Sequence, residues 1–191
     1  MTTDDQNEQF IHVNEHDVII GAISRSKAHK NRTLIHRSVG ILIFNWKGEV
    51  YLHKRSSTKD TDPGKWSISA SGHVTDGQSY EEAAKRELFE ELGVKTTLTF
   101  LEKNMIATAY ETEIAALYRG QFEGPFLLNI HEVAEGRFFA PPIIERMLRE
   151  GQVELTTMSL VNLKRTLKIL PERVDLNVYV VKTFPVSSPA L

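Results

Sequence analysis

Gly72-His-Val-Thr-Asp-Gly-Gln78-Ser-Tyr-Glu-Glu-Ala-Ala-Lys-Arg86-Glu87-Leu-Phe-Glu90-Glu91-Leu-Gly93-Val94 is the stretch on which the reading of the whole chain turns. Ser79 is a good helix N-cap, and Glu82 three residues later completes a capping box. Gly93 stands where a helix ends in the left-handed conformation. At about 100° per residue, Glu87, Glu90 and Glu91 fall within an arc of roughly 100°. Ala84, Leu88, Phe89 and Leu92 lie beside that arc and are expected to face a core. Three like charges so close repel one another. A hard divalent cation, Mg²⁺ or Mn²⁺, would resolve the conflict because such ions prefer carboxylate oxygens. The competing explanation is a solvated acidic helix face with Glu/Lys pairs. Two glycines and an Arg-Glu pair at fixed spacing argue against it.

The segment resembles the Nudix box: Gly, five residues, Glu, seven residues, then Arg-Glu-apolar-x-Glu-Glu-x-Gly-apolar. Gly72, Arg86, Glu87, Leu88, Glu90, Glu91, Gly93 and Val94 match in register. Gln78 replaces the first Glu of the box, outside the Arg-Glu…Glu-Glu cluster that carries metal in the family. The resemblance implies an α/β fold, a Nudix-type α/β/α sandwich with a mixed central sheet. It also implies metal-dependent hydrolysis of a diphosphate bond in a small molecule. Glu87, Glu90 and Glu91 would hold Mg²⁺ or Mn²⁺, with the Ser71 carbonyl as an extra ligand. Arg86 would orient a carboxylate, and Glu87 is the first candidate for general base. In this fold the base can also lie on a later loop, so Glu132, Glu135, Glu111 and Glu113 are candidates too.

Roughly residues 13 to 140 are also similar to the isopentenyl-diphosphate isomerases, a branch of the same fold. The marks are Asn14-Glu-His-Asp-Val-Ile-Ile-Gly21, His29, Leu34-Ile-His36, Lys54-Arg55, Pro63-Gly-x-Trp66 and Gly72-His73. His29, His36, His73, Glu111 and Glu113 match that branch's metal ligands and are candidates for a second metal site. Residues i and i+2 of a strand share a side, so Glu111 and Glu113 can serve one ion. Arg55 and Lys59 resemble its diphosphate-binding positions. Trp66 is a candidate to stack on a base or prenyl chain, although a Trp beside Pro-Gly at a strand start is more often core.

Two departures count against isomerase chemistry. Ser71 stands where the branch has a catalytic Cys, and a serine hydroxyl is far too weak an acid to protonate an unactivated alkene unaided. Glu87 stands where isomerases tend to carry Arg. A hydrolase is therefore the leading reading, an isomerase-like protein the second, and a non-catalytic ligand-binding module the third.

Composition sets the outer bounds. A chain of 191 residues suits one domain, expected over residues 10–185 between flexible tails at 1–9 and 186–191. A net charge of −2 argues against a general nucleic-acid binder. The absence of cysteine excludes disulfides, thiolate zinc sites and a cysteine nucleophile, and fits a cytoplasmic protein. No apolar run approaches a membrane span. The expected partner is a small-molecule diphosphate, and an exposed edge strand would permit a homodimer.

Along the chain, the pattern predicts a hairpin from Phe10 to Ile23, a turn or short helix at Ser24–Arg32, and a second hairpin of His36–Asn45 with Glu49–Arg55. Further strands are expected at Trp66–Ser71, Lys95–Met105, Thr112–Gln121, Gly136–Phe139 and Asn177–Phe184. Helices are expected from Pro141 to Arg149 and from Ser159 to Leu170, the latter closed by Pro171.

Overall fold

The computed structural model describes residues 2, 4–168 and 179–185. The stop at Pro171 and the tail at 186–191 lie outside the described residues. In chain order the elements are β1 (Gln9–Val13), β2 (Ile19–Ser24), α1 (Arg25–Ala28), β3 (Ile35–Phe44), β4 (Val50–Arg55), β5 (Trp66–Ser67) and β6 (Ala70–His73). They continue as α2 (Tyr80–Leu92), β7 (Thr99–Ala107), β8 (Thr112–Gln121), β9 (Val133–Phe139), α3 (Pro141–Arg149), α4 (Thr157–Leu167) and β10 (Tyr179–Phe184).

The sheet is mixed, in the order β10-β7-β8-β3-β1-β2, with β4 and β6 also paired to β3 and β9 paired to β4. Its centre is the parallel pair β3–β8, in register from Ile35↔Thr112 to Phe44↔Gln121. Both strands are apolar over most of their length because both faces are covered. Val39, Ile41 and Ile43 with Ile114, Ala116 and Tyr118 point to one face, where Ala83, Ala84, Leu88 and Leu92 of α2 pack. Leu42 and Leu117 point to the other, against Leu163 of α4 and Ile144 of α3. The result is the expected sandwich of helices about a mixed sheet.

Helix α2 forms where its caps dictate. Ser79 and Glu82 make the full capping box, and Gly93 closes the helix at φ 67°. Phe89 corrects the expectation that it faces the core: it is 49% exposed, and Lys95 Nζ lies 4.6 Å from its ring centre. The helix buries a stripe of Ala83, Ala84, Leu88 and Leu92, and position 89 falls just outside it.

The expected strand Trp66–Ser71 is in fact two, separated at Ile68 and Ser69. The cause lies on β3, which pairs with β6 up to Ile41↔Ala70 and with β4 at Phe44↔Val50. Between them, Ile43 has no strand partner on that side. Its N–H donates to Ser69 Oγ at 2.7 Å, and Ser69 Oγ–H donates to the Tyr51 carbonyl at 2.6 Å. One buried hydroxyl thus joins the two halves of the divided edge. Ser69→Ala leaves the Ile43 N–H and Tyr51 C=O without partners and should destabilise the fold by about 1–3 kcal/mol. Urea denaturation of the two proteins measures this; an unchanged midpoint would refute the bridging role.

Candidate active site

A cavity of about 530 Å³ opens beside β6, between the end of α2 and the N-terminal end of α4. Three groups of charged residues surround it.

The first is on α2. A Cβ on Gly72 would stand 2.1 Å from the Glu87 carboxylate, so β6 and α2 can meet only with glycine there. Glu91 lies deeper: Ser71 N–H points to its Oε1 at 3.4 Å, and His53 Nδ1 is 3.7 Å from its Oε2. Glu91 Oε2 has no hydrogen-bond partner. Burial pushes the Glu87 carboxyl up to about 7, against the pull of Arg86 and with the help of Glu90. Burial, then the charges of Glu87 and Glu132, holds Glu91 well above the usual carboxylate range. Glu90 differs. It rims the cavity half-exposed, and Arg86 donates to it at 2.7 Å. Arg86 also reaches Glu87 at 2.9 Å, the His73 carbonyl at 2.9 Å and Gln78 Oε1 at 3.3 Å. It therefore orients carboxylates, and Gln78 serves as one of its anchors.

The second group is the histidine cluster. Ligating atoms of His29, His36, His73 and Glu111 lie within 4.8 Å of one another. His29 Nε2 is 3.2 Å and His36 Nε2 is 3.5 Å from Glu111 Oε2. Glu113 Oε1 stands 3.6 Å from His36 Nε2 and 3.5 Å from His73 Nε2. Strand register explains the convergence: His36 pairs with Glu113 across β3–β8, and Ser38 pairs with His73 across β3–β6. Phe10 stacks on the His73 ring with centres 3.9 Å apart. His36 Nδ1 faces the Leu34 carbonyl at 3.4 Å, which leaves its Nε2 aimed at the cluster.

His36 Nε2 and Glu111 Oε2 are both buried without a hydrogen-bond partner. Burial opposes charge on His36, yet Glu111 and Glu113 outweigh it and hold its pKa at about 9. The pocket thus attracts positive charge. Three imidazoles and two carboxylates, with orphaned donor atoms converging, fit a divalent transition ion as well as a proton.

The third group is basic. Arg55 lines the cavity and donates to the Thr61 carbonyl at 2.9 Å, holding its own loop. Lys59 also lines it, bonded to Asp4 and Glu132. Nothing local in the sequence marked Arg25, which is 6% exposed and joined to Asp4, Glu8 and Asp60. Its partners are scattered along the chain, and only the fold assembles them.

Four side-chain candidates do not line the cavity: His29 and His36, which are joined to it through His73 and Glu111 of their cluster, and Trp66 and Glu135. Trp66 is buried in the core, edge-on to Phe139 at 5.4 Å. Glu135 is paired with Lys54 at 3.8 Å on the outer strands β4 and β9, whereas Glu132 does line the cavity. Of the Ser71 backbone, the N–H and not the carbonyl is seen to face Glu91.

Known proteins resemble this chain in sequence and in fold. An uncharacterised Nudix hydrolase of Pseudomonas aeruginosa is 31% identical over 132 residues, covering 69% of this chain and 78% of that one. An isopentenyl-diphosphate Delta-isomerase of Photorhabdus laumondii is 30% identical over 138 residues, covering 68% and 75%. The crystal structure of a Deinococcus radiodurans protein superposes with a TM-score of 0.71 at 22% identity, covering 83% of this chain and 98% of that one. The model of the NUDIX domain matches residues 34–157, and the chain belongs to the Nudix family.

Proposed function

We propose that this Nudix protein is a divalent-ion-dependent pyrophosphohydrolase that cleaves the diphosphate bond of a small molecule. The burial of Glu87 and Glu91 beside a cavity, with an orphaned carboxylate oxygen on Glu91, carries this reading. Burying like charges is costly unless a cation joins them. Mg²⁺ or Mn²⁺ would neutralise phosphate charge and ease deprotonation of water. Glu87, Glu90 and Glu91 are its ligands in this reading, and Glu87 is the first candidate to take the proton. Glu132 is the alternative on a later loop. Arg86 keeps Glu87 and Glu90 in place. Arg55 and Lys59 present positive charge to the diphosphate.

The histidine cluster favours a second reading, an isomerase of prenyl diphosphates, and the Photorhabdus relative bears that name. Ser71 weighs against it, since a neutral hydroxyl cannot deliver a proton to an alkene as an activated acid does.

Purified protein with Mg²⁺ or Mn²⁺ should hydrolyse at least one member of a panel of nucleotide, dinucleotide and prenyl diphosphates. Glu91→Gln should lower kcat by at least about a hundredfold, with the fold retained. Formation of dimethylallyl from isopentenyl diphosphate, without hydrolysis, would instead establish the second reading. Gly72→Ala should also impair turnover, because the added methyl displaces Glu87. Wild-type rates in that variant would remove Glu87 from the mechanism.

A further inference from the structure

Part of the cavity wall is the N-terminal segment of the chain itself. Residues 4–8 lie along α1: Ser26 N–H donates to the Gln6 carbonyl at 3.1 Å, and Arg25 N–H donates to the Glu8 carbonyl at 2.9 Å. Gln6 Nε2 also reaches Asp60 Oδ2 at 3.3 Å, on the loop after β4. Asp4, Asp5 and Glu8 of this segment line the cavity. The Asp4 side chain is only 3% exposed, a depth at which a carboxylate needs partners.

Its partners are groups that bind anions. Asp4 Oδ1 accepts from Lys59 Nζ and lies 3.3 Å from Arg25 Nη2, while Asp4 Oδ2 accepts from the Asp60 N–H at 2.8 Å. An ammonium, a guanidinium and a backbone N–H that converge on one carboxylate suit a phosphate oxygen equally well. The cluster also holds more acid than it can neutralise, since Arg25 and Lys59 together face Asp4, Glu8, Asp60 and Glu132. Were Asp4 to leave, Glu8 and Asp60 would still pair with Arg25, and Glu132 with Lys59. Asp4 is thus an anion the cluster can exchange without stranding a buried cation.

We propose that residues 4–8 are an autoinhibitory strap: the Asp4 carboxylate occupies Arg25, Lys59 and the Asp60 N–H in place of a phosphate, and a diphosphate must displace it to bind. The proposal rests on the hydrolase reading for the entry of a diphosphate into this cavity, and it adds a regulation of that site. The exchange keeps the charges paired, because one oxygen anion leaves the cations as another arrives. A carboxylate on a short tether competes at an effective concentration of about millimolar. The strap therefore weakens apparent binding in proportion to the fraction of molecules in which it is closed.

Equilibrium binding tests it without turnover. The full chain in Mg²⁺ would be titrated calorimetrically with methylenediphosphonate. Asp4→Asn removes the charge and keeps the shape, and should tighten binding by about tenfold or more. Asp5→Asn is the control: Asp5 lines the same cavity, but among the described residues its carboxylate accepts only from the Asn7 N–H. It should bind the probe as wild type does. Hydrogen exchange in the unaltered chain gives a second reading. Ser26 lies in the first turn of α1, where its N–H has the Gln6 carbonyl as partner and none within the helix. Saturation with methylenediphosphonate should speed exchange at that amide by about tenfold or more, as the strap leaves.

Binding no tighter in Asp4→Asn than in wild type would overturn the proposal, and so would the absence of binding to either protein. Equal tightening by Asp5→Asn would overturn it too, because the loss of any nearby charge would then suffice. A Ser26 amide as well protected with the probe as without it would show that the segment stays in place, and would end the proposal as well. The hydrolase reading fails separately. A tighter Asp4→Asn complex with faster Ser26 exchange supports the strap even if no substrate is hydrolysed, and Glu91-dependent hydrolysis survives even if the strap is refuted.

Discussion

The contact of α2 with β6 depends on a missing methyl group. Gly72 gives up its side chain so that the Glu87 carboxylate can rest against backbone. That approach fixes the height of the helix over the sheet. It brings Leu88 and Leu92 down onto Val39, Ile41 and Ile114, and it turns Glu91 toward Ser71 at the cavity wall. The capping box at one end and the left-handed Gly93 at the other set the length of the helix, so its acidic residues meet β6 in one register. Packing and chemistry are therefore coupled at one point. The apolar stripe positions the carboxylates, and the carboxylates tolerate burial only where positive charge can reach them.

The distribution of charge around the cavity follows the same logic. Arg25 and Lys59 sit among Asp4, Glu8, Asp60 and Glu132 and are already compensated, whereas Arg55 donates to Thr61 and meets no carboxylate among the described residues. Among the described residues, the buried carboxylates with an oxygen short of a partner are Glu91 on one side and Glu111 with its histidines on the other. Burial raises the pKa of Glu91 and of Glu111, so each carboxyl is held toward its neutral form until positive charge comes near.

How much of this could be read in the sequence follows from how local each signal is. The caps of α2, its acidic arc and the turn at Gly93 all lie within one short segment, and each took the expected form. The first hairpin and the central strands were visible through their apolar content, but the second hairpin closes only at Phe44↔Val50, after which β4 leaves β3 to pair with β9. The break at Ser69 was not visible, because it arises from β3 changing partners, and the alternation of Trp66–Ser71 carries no trace of that. The core position of Trp66 was within reach of the sequence, since a Trp beside Pro-Gly at a strand start is more often core. Arg25 looked like one more basic residue in a polar turn, since its carboxylates arrive from two distant segments, Asp4 and Glu8 before β1 and Asp60 after β4.

Gln78 shows how a family pattern can change at one residue without losing its architecture. Thr75 Oγ1 donates to Gln78 Oε1 at 2.6 Å, and Gln78 N–H donates to the Thr75 carbonyl at 3.1 Å. The side chain thereby staples the loop that leads into α2, and the same oxygen accepts from Arg86. An amide oxygen meets these demands as well as a carboxylate does. What changes is charge: a carboxylate at 78 would be a third anion drawing on Arg86, in competition with Glu87 and Glu90. With a neutral amide, the guanidinium remains committed to the two carboxylates of the helix. The substitution therefore spares the oxygen acceptor that the loop needs and removes a negative charge that the cluster does not.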